Sequence, residues 1–277
     1  MTSTNKKSVL ITGCSSGIGL DAAHYLKRQG YHVIASVRQT KDVDLLSNAG
    51  IECIELDLKS TESIDSAISY INDKHPQLYG LVNNGAYGQA GAVEDLSRDA
   101  LREQFETNLF GTHELTQKLI PLFRKNNIGR IVQVSSVLGV IALPMRGAYN
   151  ASKFALEGLT DTQRLELIDT NIKISLIEPG AIETKFRENC LHYFNKNIDE
   201  ENSLYKNQYR AMKERLNRKE GAKFTAPAER VSKDIYHALS SPKPKIRYRI
   251  TTPTVIGAKL KRLLSDRMMD KISANKG

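Results

Sequence analysis

The chain has 277 residues, 40% of them hydrophobic, and its 40 Lys+Arg against 31 Asp+Glu give a formal net charge of +9. That apolar content excludes a disordered chain and suffices for a sizeable core. Three cysteines, Cys14, Cys53 and Cys190, exclude a disulfide framework and lack zinc-site spacing, so a reducing, cytoplasmic compartment is expected. No apolar run reaches the ~18 residues of a membrane-spanning helix, and the polar residues 1–7, leading straight into a strand, do not read as a signal peptide. The charge is uneven: residues 185–277 carry 22 Lys+Arg against 10 Asp+Glu, leaving 18 against 21 for residues 1–184. The basic third is read as a solvated surface, because no aromatic interleaving or nucleic-acid motif accompanies it.

Residues 8–12 (SVLIT) predict a strand, and residues 17–29 a helix stopped by Gly30. Further strands are expected at 31–37, 51–56, 78–83, 129–135 and 171–177, with helical patterns between them. Strands apolar on both faces and separated by helices predict a mostly parallel sheet covered on both sides, a doubly wound α/β fold. The pattern changes after Pro179. Residues 184–223 are charged and rich in Tyr, Asn and Lys, and predict a helical substrate lid over about 185–225. A helix follows over 226–240, with Pro227 near its start. Residues 245–250 (KIRYRI) alternate with period two and predict a final edge strand. Residues 254–272 predict one basic amphipathic helix inside a C-terminal extension, 253–277. All of 1–277 is expected to form one domain.

Two motifs carry chemistry. Strand one runs into Thr12-Gly13-Cys14-Ser15-Ser16-Gly17-Ile18-Gly19. Its glycines permit a tight turn and a close ligand, and the next helix offers free N–H groups and a positive dipole end to a phosphate. In Tyr149-Asn150-Ala151-Ser152-Lys153 a spacing of four puts Tyr149 and Lys153 on one helix face. A neighbouring Lys⁺ is expected to lower the phenol pKa from about 10 and fit Tyr149 for general acid–base work.

Together these motifs resemble the short-chain dehydrogenase/reductase family over about residues 8–238, most closely its NADP-dependent members similar to 17β-hydroxysteroid and retinol dehydrogenases. The resemblance implies a Rossmann fold and a tetrad of Asn108, Ser136, Tyr149 and Lys153. Ser136 stands 13 residues before Tyr149, the family spacing, and would polarise a substrate carbonyl; Asn108, in ETNLFG, would hold a relay water. Gly13, Ser15, Ser16, Gly17, Ile18 and Gly19 would cradle the pyrophosphate, with Asp57 and Leu58 at the adenine. Tyr149 and Lys153 would also touch the cofactor. Asn83, Gly85 and Ala86 stand where the family has NNAG, with the last two residues exchanged; Asn83 is expected on the ribose side, and Gly85 and Gly88 are expected to absorb the turn. Pro179-Gly180 ends strand six in a turn beside the cofactor, Ile182 would contact the nicotinamide carboxamide through its backbone, and Thr184 would contact the carboxamide or the pyrophosphate.

NAD-preferring members end strand two with a carboxylate; here Val37 and Arg38 stand there, which reads as NADP(H). The implied reaction is reduction of a hydrophobic aldehyde or ketone, steroid- or retinoid-like, beside the apolar stretch 137–145. No metal is expected, because the six histidines are scattered without ligand spacing. An NADP(H)-binding sensor or scaffold with little turnover is the alternative. Expected partners are a small carbonyl or alcohol and copies of the same chain, as homodimer or homotetramer, with no nucleic acid. The basic tail is expected to pack on the enzyme or a second subunit rather than on anionic lipid.

Overall fold

Parallel strands that are apolar on both sides need helices on both sides. The computed structural model, which describes residues 6–217 and 224–274, supplies them. Residues 218–223 of the expected lid and the last three of the expected tail lie outside the described residues. The elements run β1 (Ser8–Ile11), α1 (Gly17–Arg28), β2 (His32–Val37), α2 (Val43–Ser47), β3 (Glu52–Glu55), α3 (Thr61–Lys74), β4 (Leu78–Asn83), α4 (Arg98–Phe105), α5 (Thr112–Lys125), β5 (Gly129–Val134) and α6 (Gly147–Glu166). They continue with β6 (Ile172–Pro179), α7 (Phe186–Asn197), α8 (Lys206–Asn217), α9 (Ala228–Ser240), β7 (Arg247–Ile250), α10 (Thr252–Leu263) and α11 (Asp266–Ser273).

The seven strands form one sheet in the order β3-β2-β1-β4-β5-β6-β7, and every pair is parallel. The fold is therefore the expected Rossmann-like α/β arrangement. Its strand order reverses between β1 and β4, where open α/β sheets bind ligands beyond the strands' carboxyl ends. Successive strand residues point to opposite faces. Val9, Ile11, Val33 and Ala35 accordingly pack with Leu26, Val231 and Ile235 of α1 and α9. Leu10 and Ile34 pack on the other side with Ile64 and Ile71 of α3 and Leu115, Leu119 and Phe123 of α5. The α7–α8 segment has a smaller core of its own. Phe194, Tyr209, Met212 and Leu216 close on Ala90 and Ala92 of the loop after β4.

Two expectations change. The single C-terminal helix is two helices: Leu264 and Ser265 are extended, and Ser265-Asp266 is a helix-start pair of a kind that restarts a chain. Thr254, Gly257 and Ala258 of α10 are buried, and a Cβ on Gly257 would meet Ile141, so this part of the tail lies on the body of the protein. The alternating strand β7 is at the sheet edge as expected, but its basic face is not simply solvated. Arg247 bonds Glu157 (3.0 Å), Asp161 (2.7 Å) and Glu178 (3.0 Å), and Arg249 bonds Glu178 (2.9 Å). Glu178 is fully buried, and these two guanidiniums are its ion-pair partners.

Removing one partner of a buried ion pair strands the other. Arg247→Met is expected to cost about 3 kcal/mol, read from the urea midpoint; a loss below about 1 kcal/mol would place the cluster among solvent-screened pairs.

Candidate active site

The loops that follow β1 and β4 meet at the reversal point. The Thr12 hydroxyl accepts the backbone N–H groups of Asn84 (3.0 Å) and Gly85 (2.8 Å). The Asn84 amide donates back to the carbonyls of Thr12 (2.9 Å) and Gly13 (3.1 Å). Gly13 has φ +71°, and a Cβ there would lie 2.7 Å from the Gly85 Cα, so two loops pack backbone to backbone where only glycines fit. Neither Gly85 nor Gly88 takes positive φ. The expected absorption of the turn by these two glycines does not occur: the loop needs no left-handed residue at 85 or 86, and exchanging Ala and Gly leaves its path free of strain.

α1 starts at Gly17 with no acidic residue in its first turn, and Ser16 makes no capping bond through its hydroxyl. The free N–H groups and positive dipole end are thus unopposed. A Cβ on Gly17 would touch the Thr184 side chain at 3.1 Å, which puts Thr184 beside this loop together with Ser15, Ser16 and Ile18. Gly180 is anchored by its N–H to the Ile250 carbonyl (3.0 Å), and the backbone at Ile182 bridges to Ala226. Cys14 points inward, donating to the Ile11 carbonyl (3.2 Å), and burial pushes its thiol up to about 12.

Val37 is buried at the end of β2, and Arg38 beyond it has one side-chain hydrogen bond, to the Tyr193 hydroxyl of α7 at 3.5 Å. Asp57 turns its carboxylate onto the Lys59 N–H (3.0 Å), and Leu58 is buried beneath Gly111. Asn83 departs from expectation. It is a strand residue whose amide donates to Thr116 of α5 (2.7 Å), so its side chain faces the helix layer and not the ribose side. Asn84, one residue on and past the strand, is the one that ties the loops.

The chemical centre lies at the carboxyl ends of β5 and β6. Tyr149 and Lys153 project from α6, both buried. The Lys153 ammonium donates to the Val134 carbonyl (2.7 Å) and lies 5.8 Å from the Tyr149 ring centroid. Ser136 follows β5, accepts the Leu138 N–H (3.1 Å) and hydrogen-bonds Tyr149. Burial pushes Lys153 down to about 8, with Glu157 opposing. Burial also holds the Tyr149 phenol well above its ordinary value, against the Ser136 hydrogen bond. The expected lowering by Lys153 is absent. The α7 side chains cover the phenol: the Phe186 ring lies tilted against it with centroids 5.3 Å apart, and Cys190 adds to the upward shift. Dehydration outweighs a cation already spent on a backbone carbonyl.

Asn108 sits in a π-helical turn, Glu106–Gly111, between α4 and α5, a distortion frequent at functional sites. Its side chain accepts the Tyr87 N–H (3.1 Å) and donates to the Tyr87 carbonyl (2.9 Å) and the Ser152 hydroxyl (3.2 Å). The amide thus joins the post-β4 loop to α6 beside Lys153. Tyr87 in turn stacks on Tyr193 at 3.9 Å. Phe186 and Tyr193 fall in the expected lid and Thr12 in the glycine motif, but the contacts made by Thr12, Tyr87, Ser152, Phe186 and Tyr193 are not readable as site contacts from the sequence. Only Asn84 had a readable signal, since the residue after a buried strand is the first free to face the other loop.

The family model for short chain dehydrogenase matches residues 7–192. The chain is 44% identical over 268 residues to the uncharacterized oxidoreductase YbbO of Escherichia coli K12, covering 96% of this chain and 94% of that one. It is 37% identical over 195 residues to human retinol dehydrogenase 8, covering 67% and 62%. A crystallised short-chain dehydrogenase of Streptomyces avermitilis superposes with TM-score 0.81 at 28% identity, over 98% and 97% of the two chains. ElxO, solved with NADP bound, superposes with TM-score 0.70 at 25% identity, over 87% and 94%. The fold and site define a nicotinamide-dependent oxidoreductase. The chain belongs to the short-chain dehydrogenase/reductase family.

Thr12→Val removes one acceptor from two backbone N–H groups and is expected to cost about 2 kcal/mol. Thr12→Ser, which keeps the oxygen, should stay within about 0.5 kcal/mol of the parent. A larger loss in Thr12→Ser than in Thr12→Val in chemical denaturation would mean that the methyl group, not the hydroxyl, holds the loops.

Proposed function

We propose that the chain is an NADPH-dependent reductase of hydrophobic aldehydes or ketones, acting as one domain with α7 and α8 as its lid. The observation that carries this reading is the buried Ser136–Tyr149–Lys153 group, which holds a protonated phenol beside a hydroxyl at the sheet's ligand-binding edge. The donor set fits a dinucleotide with an extra phosphate. It comprises the open N-terminus of α1, the Thr184 side chain next to it and the guanidinium of Arg38 where a carboxylate would repel a 2′-phosphate. NADPH, when bound, supplies the hydride. Ser136 orients the carbonyl oxygen and stabilises the charge developing on it. Tyr149 gives that oxygen its proton, and Lys153 balances the charge left on the phenol. Asn108 acts here as a positioning residue through Tyr87 and Ser152, and any relay water would be held by backbone freed in the π turn.

The lining supports an apolar substrate. Phe186 and Cys190 stand over Tyr149, and residues 137–145 offer mostly aliphatic side chains, the setting that suits a steroid-, retinoid- or fatty-chain-like carbonyl. Phe110, Phe154, Leu159 and Leu165 are exposed on the π turn and α6, and we read that face as the contact between copies in a homodimer or homotetramer. No described helix is long and apolar enough to cross a membrane, in keeping with the proposed cytoplasmic site of action.

Initial rates with NADPH and NADH across a graded series of carbonyls test the reading. Turnover is expected with NADPH well above NADH, rising with substrate hydrophobicity, lost by at least 10³-fold in Tyr149→Phe, and with the NADPH preference cut about tenfold or more in Arg38→Ala. Tight NADPH binding without turnover of any carbonyl would shift the role to that of a cofactor-binding sensor. The pH dependence carries a second expectation. Lys153 loses its charge as pH rises through about 8, so reductive kcat/KM should be flat below that pH and fall above it. A profile flat to pH 9.5 would show that Lys153 stays charged in the working enzyme.

A further inference from the structure

The opposite edge of the sheet carries a second cluster that the oxidoreductase reading does not use. His32 opens β2, Glu52 opens β3, and His75 caps the C-terminus of α3. Ile34 pairs with Glu52 across the two strands and packs in the α3–α5 layer. His32, two residues from Ile34, points to that same side, toward the end of α3. Strand alternation and helix length therefore bring together residues 20 and 23 positions apart, which no ligand spacing in the sequence reveals.

Both imidazoles present the same atom to one carboxylate. His32 Nε2 lies 2.6 Å from Glu52 Oε2, and His75 Nε2 lies 2.6 Å from Glu52 Oε1. The three ligand atoms lie within 4.8 Å of one another. The Tyr70 hydroxyl donates to Glu52 Oε1 at 2.8 Å, the kind of outer hydrogen bond that fixes a metal-binding carboxylate. The negative end of the α3 dipole meets the cluster at His75. On the outer side is a surface depression of about 340 Å³ lined by both histidines, Lys6, Lys74 and Gln77. It gives water access to a fourth ligand position. Lys6 and Lys74 oppose a cation, though Lys74 is paired with Asp73 at 2.9 Å.

We propose that His32, Glu52 and His75 form a Zn²⁺ site of His₂Glu type, with solvent as the fourth ligand. Each neutral imidazole gives its Nε2 lone pair to the ion while its proton sits on Nδ1, and one Glu52 oxygen completes the protein ligands. Ligand atoms about 2.0–2.1 Å from a tetrahedral zinc stand roughly 3.3 Å apart. Seating the ion therefore spreads the one 2.6 Å N–O pair that includes the ligating oxygen by less than 1 Å and draws the other ligand separations, now within 4.8 Å, inward, within reach of side-chain rotation at a half-exposed site. The bound ion ties β2, β3 and the end of α3 together, far from the Tyr149 edge. It is a clip on the fold and takes no part in hydride transfer.

The test uses the full chain stripped of metal by a chelator. Equilibrium dialysis with Zn²⁺, read by elemental analysis, is expected to give one equivalent, and Co²⁺ substitution should give the visible absorption of a four-coordinate N/O site without a thiolate charge-transfer band. Saturating zinc should raise Tm by about 5 °C. His32→Gln and His75→Gln are expected to weaken binding by about 100-fold, Tyr70→Phe by about tenfold, and both histidine variants should lose the Tm response. NADPH affinity, measured at the other sheet edge, should be unchanged and reports that the variants fold. Less than half an equivalent in the parent chain overturns the proposal. So does zinc binding that survives both histidine variants, or that vanishes instead in Cys53→Ser. In those cases Glu52 is only a hydrogen-bond acceptor shared by two histidines.

Discussion

One hydroxyl holds the two halves of the binding edge together. Parallel strands β1 and β4 diverge beyond their last ladder bonds, and the loops that leave them would otherwise expose unpaired backbone groups to a buried crevice. Thr12 takes two of those N–H groups and Asn84 returns two bonds to the first loop. The distance between the loops is thereby set, and with it the place where α1 can present its N-terminus. Gly13 follows from the same constraint, because its backbone lies against that of Gly85. The Asn108 clamp extends the arrangement by one layer, carrying the post-β4 loop onto α6 through Tyr87 and Ser152. The glycine loop after β1 and helix α6 are thus linked through a short series of hydrogen bonds, with no long flexible segment between them.

The basic surplus of the C-terminal third has a partly internal explanation. Arg247 and Arg249 are consumed by Glu157, Asp161 and Glu178. Lys196, Lys206 and Lys213 pair with Glu103, Glu201 and Glu200, and Lys261 pairs with Asp266. A cation count over a segment overstates the field it presents when the acids that balance it come from elsewhere in the chain. Glu103, Glu157, Asp161 and Glu178 all lie before residue 185, and these four acids offset a third of the surplus of twelve cations carried by residues 185–277.

The fold was legible because its signals are periodic and local. Every expected strand exists within about two residues, since buried parallel strands read as apolar runs. The shared face of Tyr149 and Lys153 on α6 was equally legible, because four residues along a helix make one face. What failed depended on three-dimensional neighbours. Asn83 and Asn84 are adjacent and chemically identical, and only the last residue of β4 decides which faces the helix layer. The break at Leu264-Ser265 interrupts an apolar pattern that persists on both sides of it, so the amphipathic reading spanned it. The phenol of Tyr149 was expected to ionise more readily, since a lysine one turn away is visible in the sequence and a covering Phe186 is not.

That covering has a chemical direction. Burial disfavours charge of either sign, so it raises the phenol and lowers the ammonium together. With α7 over the site, the pair is held as a neutral phenol and a weakly held proton on Lys153. A neutral phenol is the form that donates; the phenolate, which oxidation of an alcohol requires, is the form that closure penalises. The same α7 helix reaches Arg38 through Tyr193 and Tyr87 through ring stacking, so its seating is sensitive to what lies along the dinucleotide groove. Under the reductase reading, closure over a filled groove and retention of the donor proton are one event, and the aromatic face of α7 couples them.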